Sequence, residues 1–404
     1  MFVTAFKEVY MHLRLVLVLS LWSAIGWAQN DSARWYKGNT HTHSYWSDGD
    51  DFPEMIMDWY KTHGYHFISL SDHNILAEGV KWQELPAHPF RQARFKEYIQ
   101  KFEAGWVVYK TDTAGRIHVQ LKTLEEYRAL FEEKGKFLIM QAEEVTDRYK
   151  GKPVHMGAVN VKELIQPRGG NTVTEVMQNN LDAVYEQRRR TGQPMFPHIN
   201  HPNFGWAVKL EDMIPLRGER FFEVYNGHPH VHNYGDSATM GMEELWDKLQ
   251  IQYIKAGKPL LYGLATDDSH HYLEYKVGLS NPGRGWIMVR AKELTAASLI
   301  EAMEKGAFYA TTGVELDDVK IEKRRLEVSV KAKPGTTYRI QIWGAGPSGN
   351  EGKLLKEVNG TEAGYELKKG DLFVRAKIIS SKLQENPFQE GDYESAWTQP
   401  VTGE

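Results

Sequence analysis

The chain contains no cysteine. It forms no disulfide, and any metal it holds must be held by imidazole nitrogen and carboxylate oxygen. It also lacks a long block of like charge, a low-complexity segment and an internal repeat. The formal net charge is -4 over 404 residues, so no polyanion-binding surface is expected and nucleic acid is not a predicted partner. What is present is ordinary for a folded chain, with 41% apolar and 25% charged residues. The length suits one large domain and one smaller one.

The N-terminus reads as an address. Residues 11–28 are MHLRLVLVLSLWSAIGWA: Arg14, a short apolar run from Leu15 to Ile25, then the small residues Gly26 and Ala28. The run is short for a membrane span and is followed by no stop-transfer pattern. The expectation is a secretory signal with an N-terminal extension over residues 1–28. Cleavage near Gln29 would leave no stable membrane anchor and a periplasmic or secreted protein.

Beyond it, apolar strand candidates alternate with helices. Trp35 to Thr42 leads into the pair His41/His43, and Asp50-Asp51-Phe52-Pro53 starts a helix that Gly64 ends. His66 to Leu70 exits at Ser71-Asp72-His73, and KFLIMQAEEV exits at Glu143-Glu144. Val154 to Val161 contains His155. A helix with a Thr172/Glu175 cap follows, and QPMFPHINH brings His201. RFFEVYN and PLLYGLAT are further strands, the second exiting at Asp267-Asp268-Ser269-His270. This alternation predicts a parallel α/β barrel or open sheet over residues 29–313, with its site at the strand exits. Residues 75–135 break the pattern and read as an insertion over the mouth, with a hairpin between Trp106 and Gln120. After Gly313 the apolar period becomes two, which predicts a small antiparallel β-sandwich over residues 314–404.

His41, His43, Asp48, His73, Glu144, His155, His201, Asp268 and His270 all lie at or near strand exits. His41 and His43 are two apart on an extended segment, so their rings share a face, and Asp268 and His270 repeat that spacing. Imidazole with carboxylate suits zinc, iron or manganese. Nine ligands exceed one ion and suit two or three, with a carboxylate such as Glu144 bridging.

The ordered set HTH, SDG, SDHN, AEEVT, HMGAVNV, NHP and DDSH resembles the polymerase and histidinol phosphatase (PHP) superfamily of metal-dependent hydrolases, over roughly residues 35–313. The resemblance implies a distorted (β/α)7 barrel with a two- or three-metal centre that cleaves phosphate esters. It implies that His41 and His43 bind one divalent ion with Asp268 and Glu144. His155 and His201 hold a second with Glu144, and Asp48, His73 and His270 hold a third. Asp48 stands where some members place a histidine. Of neighbouring alternatives, Glu144 is preferred to Glu143, His201 to His198, and Asp268 to Asp267.

The implied chemistry is attack by a metal-activated hydroxide on a small-molecule phosphate mono- or diester. His228 is the candidate proton donor to the leaving group. Asp72 or Asp267 is expected to orient a ligand histidine, and Arg284 to hold a substrate oxygen by its forked donors. Two other readings stand beside this one. The same centre could hydrolyse carbamates or carboxylic esters, or the chain could be a non-catalytic carbohydrate- or metal-binding protein.

Overall fold

The computed structural model describes residues 33–103, 105–322 and 324–403. The expected signal segment, residues 1–28, lies outside them. Among the described residues no helix is long and apolar enough to cross a membrane.

Strand β1 (Arg34–Asn39) is followed by α1 (Pro53–Thr62) and by β2 (Phe67–Leu70), which pairs parallel to β1. Pro53 occupies the first turn of α1, where its missing N–H costs nothing, and Glu54 sits at the positive end of the helix dipole. Gly64, at φ 74°, makes the left-handed turn that follows.

The stretch read as an insertion holds β3 (Trp82–Glu84), α2 (Pro89–Lys101), β4 (Tyr109–Thr111) and β5 (Ile117–Gln120). Its three strands form their own antiparallel sheet, with β4 and β5 as the predicted hairpin. Phe95, Tyr98, Phe102 and Val119 pack with Phe52, Met55 and Tyr60, so this segment buries one face of α1. Trp46 Nε1 donates to the Lys122 carbonyl at 2.9 Å, which ties the same segment to the turn carrying Asp48. Helix α3 (Leu124–Phe131), started by reciprocal Thr123 and Glu126 bonds, returns the chain to β6 (Leu138–Tyr149), parallel to β2.

Strand β6 then turns directly into β7 (Lys152–Val159) through Lys150 and Gly151, at φ 49° and 80°. Positive φ at both turn residues gives the twist a two-residue hairpin needs. Strand β7 also runs antiparallel to β8 (Phe196–Ile199), which follows α4 (Val173–Thr191). The expected parallel alternation is therefore corrected at β7. Two residues cannot hold the crossover that a parallel neighbour requires. Parallel pairing resumes from β8 to β9 (Phe221–Asn226), with the single turn α5 (Leu210–Met213) between them. It continues to β10 (Tyr262–Thr266) after α6 (Met242–Lys255).

Strands β11 (Trp286–Ala291) and β12 (Phe308–Thr311), flanking α7 (Ala296–Glu304), extend the sheet antiparallel from β1. Seven more strands follow: β13 (Leu316–Glu322), β14 (Arg325–Val330), β15 (Tyr338–Ala345), β16 (Lys353–Asn359), β17 (Glu362–Glu366), β18 (Phe373–Leu383) and β19 (Tyr393–Thr398). The large sheet has the order β10-β9-β8-β7-β6-β2-β1-β11-β12-β19-β18-β15-β16, and β13-β14-β17 form a separate sheet. Leu326 and Val328 of the small sheet share a core with Ile340, Ile342 and Ala376 of the large one. The boundary expected near Gly313 does not interrupt hydrogen bonding, because β12 pairs with β19 (Tyr309 opposite Thr398) and residues 33–404 form one compact unit.

The β10 end of the sheet bends back toward β1. Beyond the strand ends, Asp268 N–H donates to the His41 carbonyl at 3.0 Å and His43 N–H to the Ser269 carbonyl at 2.9 Å. The free edge of β10 is covered by one side chain. Gln399 Oε1 accepts from Gly263 N–H at 2.8 Å, and Gln399 Nε2 donates to the Gly263 carbonyl at 2.9 Å.

Candidate metal centre

That bend places the segments after β1 and β10 side by side, so His41, His43, Asp268 and His270 face one another. The other strands add one residue each. His73 follows β2, Glu144 and His155 are diagonal neighbours on the facing strands of the β6/β7 hairpin, and His201 follows β8. Four overlapping groups result: His43/Asp48/His73/His270, His41/His43/Asp268, His41/Glu144/His201 and His73/Glu144/His155. All nine residues singled out in the sequence lie in them. The grouping differs from the one the resemblance implied, since His41 also stands with His201, and His155 stands with His73.

The spacing is that of a coordination shell. His41 Nε2 lies 3.3 Å from Glu144 Oε1 and 3.2 Å from Asp268 Oδ1. His201 Nε2 and His155 Nδ1 lie 3.1 and 3.3 Å from Glu144 Oε1, and His43 Nε2 lies 3.1 Å from Asp268 Oδ1. His270 Nε2 and His73 Nε2 approach Asp48 at 3.4 and 3.5 Å. Two donors bound about 2.0–2.1 Å from one tetrahedral ion stand about 3.3 Å apart. His43 Nδ1 is buried with no hydrogen-bond partner among the described residues, and the contacts of Glu144 Oε2 and His155 Nδ1 are to other members of the cluster, at 2.8 Å to His73 and 3.3 Å to Glu144. A divalent ion would satisfy such atoms, so the donor set fits one.

Electrostatics agree. Burial opposes charging His41, yet Asp268, Glu223 and Glu144 together raise its pKa well above the usual imidazole value. Burial, then the rings of His270 and His73, pull His43 down to about 3. Against burial, His155, His41 and His73 hold Glu144 well below the usual carboxylate range. The carboxylates thus favour positive charge beside them, while His43 is held in its neutral form, the form that ligates an ion. His201 and Asp268 also hold left-handed backbone, at φ 25° and 47°, a conformation that side-chain-bearing residues seldom adopt.

The three neighbouring alternatives point elsewhere. Glu143 faces the opposite side of β6 and accepts from Ile165 N–H at 2.6 Å. His198 is fully buried in β8, with its Nδ1 4.0 Å from Glu223 Oε1. Its ring lies where a side chain on Gly157 would be, a Cβ there meeting His198 Nε2 at 2.1 Å. Asp267 accepts from Arg284 N–H, Gly285 N–H and the Tyr60 hydroxyl at 2.7, 2.9 and 2.7 Å, so it orients no ligand histidine.

Two further expectations are corrected. Asp72 bonds not to a histidine but to Ser44 N–H and the Ser44 and Ser47 hydroxyls, at 2.8, 2.8 and 2.6 Å. Its side chain points back along the chain to the turn after His43, and there it shapes the loop carrying Asp48. Arg284 is fully buried and donates to the carbonyls of Gly227, Lys276 and Leu279, so its fork is spent on backbone. His228 does lie at the site, with its ring centroid 5.4 Å from that of His270 and 5.5 Å from that of Phe204. Burial lowers its pKa to about 3, and its Nδ1 accepts from His230 N–H at 3.2 Å. The ring is neutral and carries its proton on Nε2.

Sequence reasoning missed Glu223 and Asn200 and gave no ligand-holding role to Asn226. Glu223 Oε1 lies 2.6 Å from His41 Nδ1. Asn200 Nδ2 donates to Glu144 Oε1 at 2.7 Å, and Asn226 Nδ2 donates to Asp268 Oδ2 at 3.1 Å. The available signal was a lone acid inside the apolar run RFFEVYN.

No protein-family model matches the sequence, and no curated protein matches it. Solved structures do. A two-domain protein from Bacteroides vulgatus, described as containing a predicted PHP-like metal-dependent phosphoesterase, is 15% identical. That match covers 92% of this chain and 95% of that one, with a TM-score of 0.40. A protein from Bifidobacterium adolescentis described as a metal-dependent phosphoesterase is 12% identical over 61% of this chain and 92% of its own, with a TM-score of 0.31. An amidohydrolase from Chromobacterium violaceum is 11% identical over 58% of this chain and 87% of its own, with a TM-score of 0.29.

Proposed function

We propose that the chain is a metal-dependent hydrolase of small phosphate mono- or diesters, built on a distorted barrel and acting in the periplasm or outside the cell. The observation that supports it is the convergence of the nine histidine and carboxylate residues at coordination spacing, with His43 Nδ1 buried and without a hydrogen-bond partner among the described residues. The class of bond follows the motif resemblance. His41, His43 and Asp268 would hold one ion and Glu144 with His155 and His201 a second, since the single free nitrogen of His41 can serve one ion only. Asp48, His73 and His270 would hold a third on the open side. When bound, ions of this kind supply Lewis acidity and make hydroxide available near neutral pH.

The chain's own residues do the rest. Asn200 and Asn226 hold Glu144 and Asp268 in place by the side-chain amide hydrogen bonds described above. Asp72 fixes the Ser44–Ser47 turn and so presents Asp48. His228, neutral and half-buried beside His270, offers its Nε2 proton as a hydrogen bond to a substrate oxygen and does not deliver an imidazolium proton to the leaving group.

The test is a screen of purified mature protein, metal content measured in parallel, with zinc, manganese or iron supplied. Aryl phosphate mono- and diesters, carbamates and carboxylic esters are the substrates. Turnover of phosphate esters is expected. Turnover confined to carbamates or carboxylic esters would move the bond class, and a protein that takes up no divalent ion would end the reading.

A further inference from the structure

Glu223 is the one fully buried carboxylate of the centre that faces no open donor site, and all of its lone-pair directions are taken. Oε1 meets His41 Nδ1 at 2.6 Å and accepts from the Thr266 hydroxyl at 2.7 Å. Oε2 accepts from His201 N–H at 2.8 Å and from Asn226 Nδ2 at 2.8 Å. That same Asn226 amide reaches Asp268 Oδ2 at 3.1 Å. One carboxylate on β9 thus touches the ring of one ligand, the strained backbone of a second and the partner of a third.

We propose that Glu223 is the positioning residue of the centre, fixing the tautomer of His41 and, through His201 N–H and Asn226, the places of His201 and Asp268. The inference rests on the metal centre proposed above and not on the bond cleaved. A carboxylate accepts only, so His41 must carry its proton on Nδ1. Its Nε2, the nitrogen left to give up a proton to an ion, is then turned toward Glu144 and Asp268, where the ion would sit. A carboxylate behind a ligand histidine also raises the basicity of the ring. His201 N–H gains a charged acceptor, which favours the left-handed backbone that carries its ring into the cluster.

Replacing the carboxylate by an amide separates this role from filling space. In Glu223→Gln the new NH2 must face one of two donor pairs. Toward Oε2 it would oppose His201 N–H, a main-chain donor that cannot change. Toward Oε1 it meets His41, which can accommodate it only by moving its proton to Nε2, and a protonated Nε2 binds no ion. Divalent-ion affinity of the full chain, read by competition with a chromogenic chelator using zinc and then manganese, should fall roughly 10- to 100-fold. Glu223→Asp, which keeps the charge, should recover part of it, and Glu219→Gln, a buried carboxyl away from the centre, should match wild type. Long-range 1H–15N NMR of the zinc-loaded wild-type chain needs no variant and should show the His41 proton on Nδ1. Wild-type affinity in Glu223→Gln, or a His41 proton on Nε2 in the loaded wild type, would overturn the inference. A wild-type chain that binds neither metal would instead overturn the metal centre itself.

Discussion

Oε1 of Glu144 stands 3.1 Å from Nε2 of His201, and the same oxygen lies 3.3 Å from both His41 and His155. One carboxylate therefore serves histidines from three different strand regions, which is the place of a bridge. Glu144→Gln keeps the shape and removes the charge that offsets two cations. Metal content should drop by at least one ion and turnover by on the order of a thousandfold, while the fold persists on its apolar cores. Metal analysis and kinetics on one preparation decide it. Full load and full activity would remove Glu144 from the centre. Glu143 could not replace it without turning the strand over, since it faces Ile165.

His228 gives a prediction about size as much as direction. A ring lowered to about 3 does not titrate between pH 5 and pH 9. Its loss removes one neutral hydrogen bond, worth about tenfold in rate, and not the hundredfold or more of a general acid. His228→Ala should lower kcat/KM by about tenfold for alkyl phosphates and less for activated aryl phosphates. The ratio of variant to wild type should stay level with pH. A ratio that climbs toward one as pH rises, where a titrating acid would have lost its proton, would mean that His228 acts as a general acid after all.

The strand exits and their donors were legible because hydrophobic runs ending in His-x-His, Asp-His or Asp-x-His carry their meaning in the local spacing. Glu144 over Glu143 and His201 over His198 also follow from where a strand side chain points. The partners of Asp72 and Arg284 were not legible. Asp72 turns back to Ser44 and Ser47, and Arg284 is enclosed by carbonyls that the chain brings together only after β10 has bent toward β1. Glu223 was missed because its role depends on His41, Thr266 and His201 arriving from other strands. The antiparallel β7 was written in the Lys150-Gly151 turn, too short for any crossover.

Arg284 should prove a matter of folding. Its guanidinium joins the carbonyls of Gly227 and Lys276 at 2.9 and 3.0 Å, inside a fully buried site. Arg284→Lys keeps the charge but cannot reach several carbonyls from one rigid plane. Stability should fall by about 3 kcal/mol in urea titration. KM for a phosphate ester should move less than about threefold for the folded fraction. A large rise in KM with an unchanged unfolding midpoint would restore Arg284 as a substrate contact.

Glu219 makes stability depend on pH. Its side chain is 3% exposed, and its Oε1 has no hydrogen-bond partner among the described residues. Burial raises its pKa from 4.5 to about 7, with a hydrogen bond from its own backbone N–H and then Lys258 pulling the other way. The folded state therefore holds this proton more tightly than the unfolded chain does. The contribution is fully present below about pH 4.5 and is lost as pH rises through about 7. In Glu219→Gln the group cannot ionise, so the penalty disappears. The variant should match wild type near pH 4.5 and exceed it by on the order of 3 kcal/mol at pH 8, a figure that scales with the size of the shift. Urea unfolding of both proteins across that range measures the difference directly. Parallel stability curves, with no gap opening between pH 5 and pH 8, would show that the carboxyl reaches water or a partner when ionised and that its burial carries no such cost.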